Sequence, residues 1–284
     1  FPLDANNGWV AGRYGVLLHT TDGGSSWTRQ YVYDGQGSLH TGFLWFVQSY
    51  DNAHAITAGK EGYVFRTSDA GNSWQFSSAN MSVNIRDLSF GSSSAVYGVT
   101  LYDSFVTSDN GGASWIRRYP GSGGDLFGVD FKSVYNGWIS GQAGRIMRTT
   151  DAGDNWTMQS SGTTVDLNHI RFVDNNVGWA IGNGGVIRWT VNSGNTWTPQ
   201  ASSVSDNLLW LDMVDAYDGW AVGANGAILK YHAVYVPPPP TATPTPTNTP
   251  TSTPTPTSTP TATPSPAPEE GTVAGHVFVD SNGD

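Results

Sequence analysis

The chain has 284 residues, no cysteine, and 23 acidic against 13 basic side chains, for a formal net charge of −10. This balance excludes a basic nucleic-acid footprint, and the lack of cysteine excludes disulfides and thiolate metal sites. No run approaches 18 apolar residues, so no membrane-spanning helix is expected.

The chain opens on FPLDANN, which reads as the tail of a strand, and continues into GWVAGRYG at Gly8, a second strand with a Gly-x-x-Gly turn. A third strand leads into TTDGGSSW, from Thr20 to Trp27. The same phrases then return. The threonine-to-tryptophan phrase recurs as TSDAGNSW (Thr67 to Trp74), TSDNGGASW (Thr107 to Trp115), TTDAGDNW (Thr149 to Trp156) and TVNSGNTW (Thr190 to Trp197). Its closing tryptophans lie 47, 41, 41 and 41 residues apart. The glycine-tryptophan phrase recurs at His54, Gly137, Gly178 and Gly219, with a worn copy from Ala95. Upstream of it stand alternating apolar runs such as Ile85–Phe90, Leu126–Phe131, Leu167–Phe172 and Leu208–Met213.

Apolar residues at every second position, bounded by glycine and aspartate turns, are the pattern of half-buried antiparallel strands. A four-stranded sheet of about 40 residues cannot bury its own faces, so successive sheets must stack, and that period predicts an all-β propeller. We name the strands of a blade A to D in chain order. Six repeats are visible in residues 1–236, for a ring of six or seven blades. The last repeat ends its pattern after AILKY (Ala227 to Tyr231), so its outer strand is expected from the other end of the chain. The Gly-x-x-Gly turns, with no helix behind them, offer no phosphate cradle.

The threonine-to-tryptophan phrase resembles the Asp-box, or bacterial neuraminidase repeat. The resemblance implies that Asp22, Asp69, Asp109 and Asp151, with Asn192 in the fifth copy, accept turn N–H groups, and that Trp27, Trp74, Trp115, Trp156 and Trp197 pack into the blades. The third copy reads as carrying one inserted residue between Asp109 and Trp115. Together the three phrases resemble the photosystem II assembly and stability factor family over residues 1 to about 236, which implies a propeller and a protein-docking role.

Asp-box repeats occur in sialidases, so catalysis is an alternative. Only three glutamates exist, two of them (Glu269, Glu270) beyond residue 236, and no arginine phrase for a substrate carboxylate is present. Asp87, Asp130 and Asp212 on A strands are the remaining glycosidase-like set. The six histidines show no metal spacing, and no cofactor is expected in the propeller.

Counting back from an A-strand anchor (Phe46, Phe90, Phe131, Phe172, Met213), positions three and one before it vary in chemistry. That makes Phe43, Trp45, Asp87, His169, Arg171 and Trp210 the candidate ligand-facing set on the channel, for a protein or glycan. Filling of gaps between unequal blades is the competing explanation. A second ring precedes the threonines: His19, Arg66, Val106, Arg148, Trp189 and Lys230. Its basic members are expected to pair with nearby turn carboxylates.

Residues 237–270 hold 13 of the 16 prolines, alternating with threonine and serine. Such a linker favours an extended polyproline stem, about 100 Å long at 3.1 Å per residue. Its hydroxyls suit O-glycosylation outside the cell. Residues 271–284 resemble the opening of B-type domains of serine-aspartate repeat surface adhesins. There Asp280, Asn282 and Asp284 have the spacing of an incomplete calcium site or of an ordinary acidic turn. The sequence therefore predicts a secreted or cell-surface bacterial binding or adhesion module without catalysis. The alternatives are a glycoside hydrolase or sialidase-like enzyme and an assembly-factor-type chaperone.

Overall fold

A computed structural model describes residues 4, 6–78 and 84–233, and the backbone of 273–277. The candidate calcium residues Asp280, Asn282 and Asp284 and the proline-rich stretch lie outside the described residues. The protein is an all-β propeller of six sheets, as the repeat period predicts. Blade 1 has three described strands, Gly8–Ala11, Leu17–Thr20 and Thr28–Gln30. Strands A to D are Leu44–Ser49, Ala55–Gly59, Tyr63–Thr67 and Gln75–Ser78 in blade 2, and Ile85–Phe90, Val96–Thr100, Ser104–Ser108 and Ile116–Arg118 in blade 3. Blade 4 comprises Leu126–Phe131, Gly137–Gly141, Ile146–Thr149 and Thr157–Gln159. Blade 5 comprises Leu167–Phe172, Gly178–Gly182, Ile187–Thr190 and Thr198–Gln200. In blade 6, Leu208–Met213, Asp218–Gly223 and Ala227–His232 are joined by Val273–Val277, which pairs antiparallel with the third strand. The outer strand of that sheet thus comes from beyond the proline-rich stretch.

Every described A strand carries a β-bulge at its second residue: Trp45, Arg86, Phe127, Asn168 and Leu209. The bulge corrects the register expected for blade 2. The residue opposite the first position of strand B is Ser49 in blade 2, as Phe90, Phe131, Phe172 and Met213 are in blades 3 to 6, so Ser49 and not Phe46 is the anchor there. Phe46 is the counterpart of Asp87, and Phe43 precedes the strand altogether. An aromatic residue three places early imitated the anchor.

The glycine-tryptophan pair has a packing reason. The Phe172 ring lies flat over Gly178, where an added Cβ would sit 2.5 Å from it. On the other side Phe172 stacks on Trp138 of blade 4 at 3.7 Å, and Phe131 stacks on Tyr97 of blade 3 at the same distance. Strand B of one blade thus meets the anchor of the next. Aromatic stacking adds about 1 kcal/mol beyond the area buried, and Trp138, Trp179 and Phe172 are almost fully buried. Four of the closing tryptophans, Trp74, Trp115, Trp156 and Trp197, pack partly or fully into the clusters between blades, while Trp27 is 42 % exposed.

In the B–C turn of blade 5 the two glycines act differently. Gly185 has φ +73°, the left-handed region that favours glycine, whereas Gly182 is extended at φ −161°. Gly182 is required by close approach, because a Cβ there would collide with the Asp166 carbonyl oxygen.

The C–D turns share one hydrogen-bond scheme. In blade 4 the Thr149 hydroxyl donates to Asp151 Oδ1 at 2.8 Å and accepts from Gly153 N, while Asn155 N donates to Asp151 Oδ1 at 2.9 Å. Asp22, Asp69 and Asn192 are placed alike. The third copy differs from expectation. Ser108 and Asn110 take the two roles, with Ser114 N donating to Asn110 Oδ1 at 2.9 Å and Gly112 N to Ser108 Oγ at 2.8 Å. Asp109 is therefore not the acceptor and no residue is inserted; Thr107 and Asp109 each stand one place early.

A further turn residue escaped the sequence reading. Asp4, Asp51, Ser92, Ser133, Asp174 and Asp215 each accept two backbone N–H groups in the A–B connection, as Asx and Ser turns do. After the first interval they too recur every 41 residues.

Candidate functional site

The inner strands bring four of the sequence-predicted residues together. Asp87, His169, Arg171 and Trp210 gather at the centre of the wheel, with Asp130, Asp212 and Lys132. They serve mainly as ties. Asp87 Oδ2 accepts from Val129 N of blade 4 at 2.9 Å, and Asp130 Oδ2 accepts from Phe172 N of blade 5 at 2.6 Å. Ser89 Oγ accepts from Phe131 N at 2.9 Å. Each bond spans 42 residues and joins one blade to the next.

Arg171 lies 3.5 Å from Asp130 and 3.3 Å from Asp212. Burial works against its charge, but Asp130, Asp212 and Asp87 outweigh burial and raise its pKa. Burial pushes the Asp87 carboxyl up to about 8 although Val129 N and Leu88 N donate to it. Burial, reinforced by the Arg171 charge, takes His169 down to about 3. The 3.6 Å approach of His169 Nε2 to Asp87 is thus a contact between two neutral groups at pH 7, and no ion pair. His169 lies 4.1 Å from Trp210, centroid to centroid, and Trp210 packs against the cluster of Phe46, Ile85 and Leu88. The centre is filled by these side chains, as a packed core requires. Among the described residues no cluster of three His, Cys, Asp or Glu side chains is placed to hold a metal.

Phe43 and Trp45 stand elsewhere, at the head of the inner strand beside the B–C turns. Arg86, which the sequence reading missed, lies between two aromatic rings, 5.0 Å from the Trp45 centroid and 5.5 Å from that of Phe127. Burial lowers its pKa, against the pull of Asp125. Arg13 lies 5.2 Å from the Phe43 centroid. Next to it Arg13, Phe43, Trp45, Lys60 and Asn84 line a groove of about 560 Å³ whose walls contain no carboxylate. The bulge that aims these residues outward is a backbone feature, and only the exact 41-residue spacing of Trp45, Arg86 and Phe127 signals it in the sequence.

The ring before the threonines does not pair with turn carboxylates as expected. Its members lie across from the strand-B residue of their own blade: His19 stacks on Trp9 at 3.8 Å, Arg148 lies 5.5 Å from the Trp138 ring and Lys230 5.6 Å from the Trp220 ring. Facing residues on paired strands meet in this way.

The photosynthesis system II assembly factor YCF48 family model matches residues 2–232. The chain belongs to this family. A solved structure described as YCF48 bound to D1 peptide is 23% identical, with a TM-score of 0.66 over 81% of this chain and 75% of that one. YCF48 from Cyanidioschyzon merolae is 18% identical, with a TM-score of 0.59 over 81% and 92%. An ancestral GH74 enzyme matches at 13% identity and a TM-score of 0.61, over 81% of this chain and 35% of the enzyme. At these identities the structural likenesses show the fold alone. A search of curated protein sequences finds no match.

Proposed function

We propose that this YCF48-family propeller is a non-catalytic module that holds an extended segment of another protein on its B–C turn face. The observation that carries the reading is the Trp45–Arg86–Phe127 stack, with Phe43 and Arg13 beside it. These bulge positions differ in every blade, so no packing rule of the repeat demands them. Tryptophan and arginine at a half-buried surface are the residue types that dominate binding energy at interfaces. The relative solved with a D1 peptide supports a protein ligand over a glycan. Against catalysis, Asp87 and Asp130 are committed to backbone N–H groups of neighbouring blades. The channel residues Asp87, His169, Arg171 and Trp210 thus belong to the scaffold in this reading.

The family favours client holding over adhesion. The composition of residues 237–270 supports a spacer that presents the propeller from a secreted or cell-surface bacterial protein. The test is selection of phage-displayed dodecapeptides on the full chain. Selected peptides should bind Arg86→Ala at least about tenfold more weakly, as loss of a buried cation–π anchor implies. A selection that enriches nothing overturns the reading.

A further inference from the structure

Four blade junctions share a device on the B–C turn face. The left-handed central residue of one turn donates its N–H to an Asn or Asp side chain that precedes the next inner strand. The pairs are Glu61 to Asn84 at 3.2 Å, Tyr102 to Asp125 at 2.8 Å, Ala143 to Asp166 at 2.9 Å and Gly184 to Asn207 at 3.0 Å. Donors and acceptors both recur every 41 residues. By the same count the junction of blades 1 and 2 should pair Tyr14 with residue 43.

Residue 43 is phenylalanine. Tyr14 has the same left-handed backbone, φ 58° against 63° for Glu61, so its N–H is offered in the same way. Phe43 cannot accept it and instead lies against the Arg13 guanidinium, 39% exposed. Among the described residues nothing accepts the Tyr14 N–H. The N–H therefore stands beside Arg13 and Lys60 on a groove with no carboxylate in its walls. Lys60 meets only Glu61, at 3.2 Å with both side chains more than half exposed, a pair worth little in water.

We propose that this groove is a subsite for an aspartate side chain of the bound protein segment, whose carboxylate takes the place that Asn84, Asp125, Asp166 and Asn207 fill at the other junctions. The proposal rests on the protein-holding reading above. The carboxylate accepts from Tyr14 N and pairs with Arg13, while Phe43 and Trp45 supply apolar contact to the residues beside it. Arginine binds a carboxylate through a fork of N–H donors, and charge-assisted bonds of this kind exceed neutral ones about twofold.

The experiment uses peptides from the display selection, synthesised with acetylated and amidated ends so that no terminal carboxylate remains, and the full chain in fluorescence anisotropy. Aspartate should be enriched at one position. Its replacement by asparagine, and separately Arg13→Glu, should each weaken binding at least about tenfold, the scale of a lost charge-assisted bond. The decisive variant is Phe43→Asp, which builds the missing acceptor into the chain. It should abolish binding while leaving the melting temperature unchanged or higher, an outcome that loss of folding cannot imitate. If peptides bind but Phe43→Asp and Arg13→Glu bind them equally well, or if binding needs a free C-terminus and no aspartate, the subsite is overturned while the protein-holding function stands. If nothing is enriched, both fall.

Discussion

The junction of blades 4 and 5 and the junction of blades 1 and 2 are built from the same repeat, and one is closed where the other is open. At the first, Asp130 ties to Phe172 N, Trp138 stacks on Phe172, and Asp166 caps Ala143 N. At the second the corresponding residues are aliphatic, small or aromatic: Ser49 replaces the stacking anchor and Phe43 the capping carboxylate. The difference teaches that a repeat protein writes scaffold where its positions agree and recognition where they stop agreeing. Three measurements sharpen or break this contrast.

The largest effect is expected at the closed junction. Asp130 is 1% exposed and holds Phe172 N, with Lys132 at 3.2 Å and Arg171 at 3.5 Å. Its removal strands an N–H and leaves two cations short of a partner. Breaking such a buried pair costs about 3–5 kcal/mol. Asp130→Ala should therefore lose that much in urea denaturation, whereas Gln48→Ala, the counterpart in blade 2, should lose about 1 kcal/mol. Equal losses would show that the inner-strand carboxylates are not the ties between blades.

A smaller effect follows from the neutral pair at the centre. Asp87 has its pKa raised to about 8, so between the unfolded value of 3.8 and 8 the folded state binds the extra proton and stability falls as pH rises. His169 is lowered to about 3, so between 3 and 6.5 the unfolded state binds the extra proton and stability rises with pH. From 3.8 to 6.5 the two slopes cancel. From 6.5 to 8 only Asp87 acts, and stability should fall by about 2 kcal/mol, at 1.36 kcal/mol per unit. Asp87→Asn should flatten that limb in chemical denaturation across pH, and His169→Gln should leave it in place. A limb that persists in Asp87→Asn would assign it to another group.

The fold was legible because its period is enforced by close packing. Gly178 under the Phe172 ring and Trp138 on its other side tolerate little change, so the phrase survives from blade to blade. The site was less legible for three physical reasons. A bulge at Trp45 shifts the alternation by one residue, so counting by twos from Phe46 misplaced the blade 2 register. Position along a strand does not reveal whether a polar residue faces solvent or a neighbouring backbone N–H, which moved Asp87 and His169 from ligand to scaffold. Arg86 is one arginine among ten in the sequence, and only the rings at 5.0 and 5.5 Å distinguish it.

The smallest effect concerns the C–D turn, where the worn third copy supplies an internal comparison. Thr107 and Asp109 imitate the phrase, but hydrogen bonding runs through Ser108 and Asn110, with Asn110 Oδ1 accepting from Ser114 N and its amide donating to Ser114 Oγ at 2.8 Å. Asn110→Ala removes both bonds from an exposed turn and should cost about 1 kcal/mol, the usual net worth of such a bond. Asp109→Ala removes an exposed carboxylate that accepts none of the turn N–H groups and should stay within about 0.5 kcal/mol. Asp151→Ala, whose carboxylate holds Asn155 N and the Thr149 hydroxyl, should match Asn110→Ala. Thermal melts of the three variants decide the register of the turn. A larger loss at Asp109 than at Asn110 would restore the inserted residue that the sequence suggests, and would mean that the third turn bends by a scheme of its own.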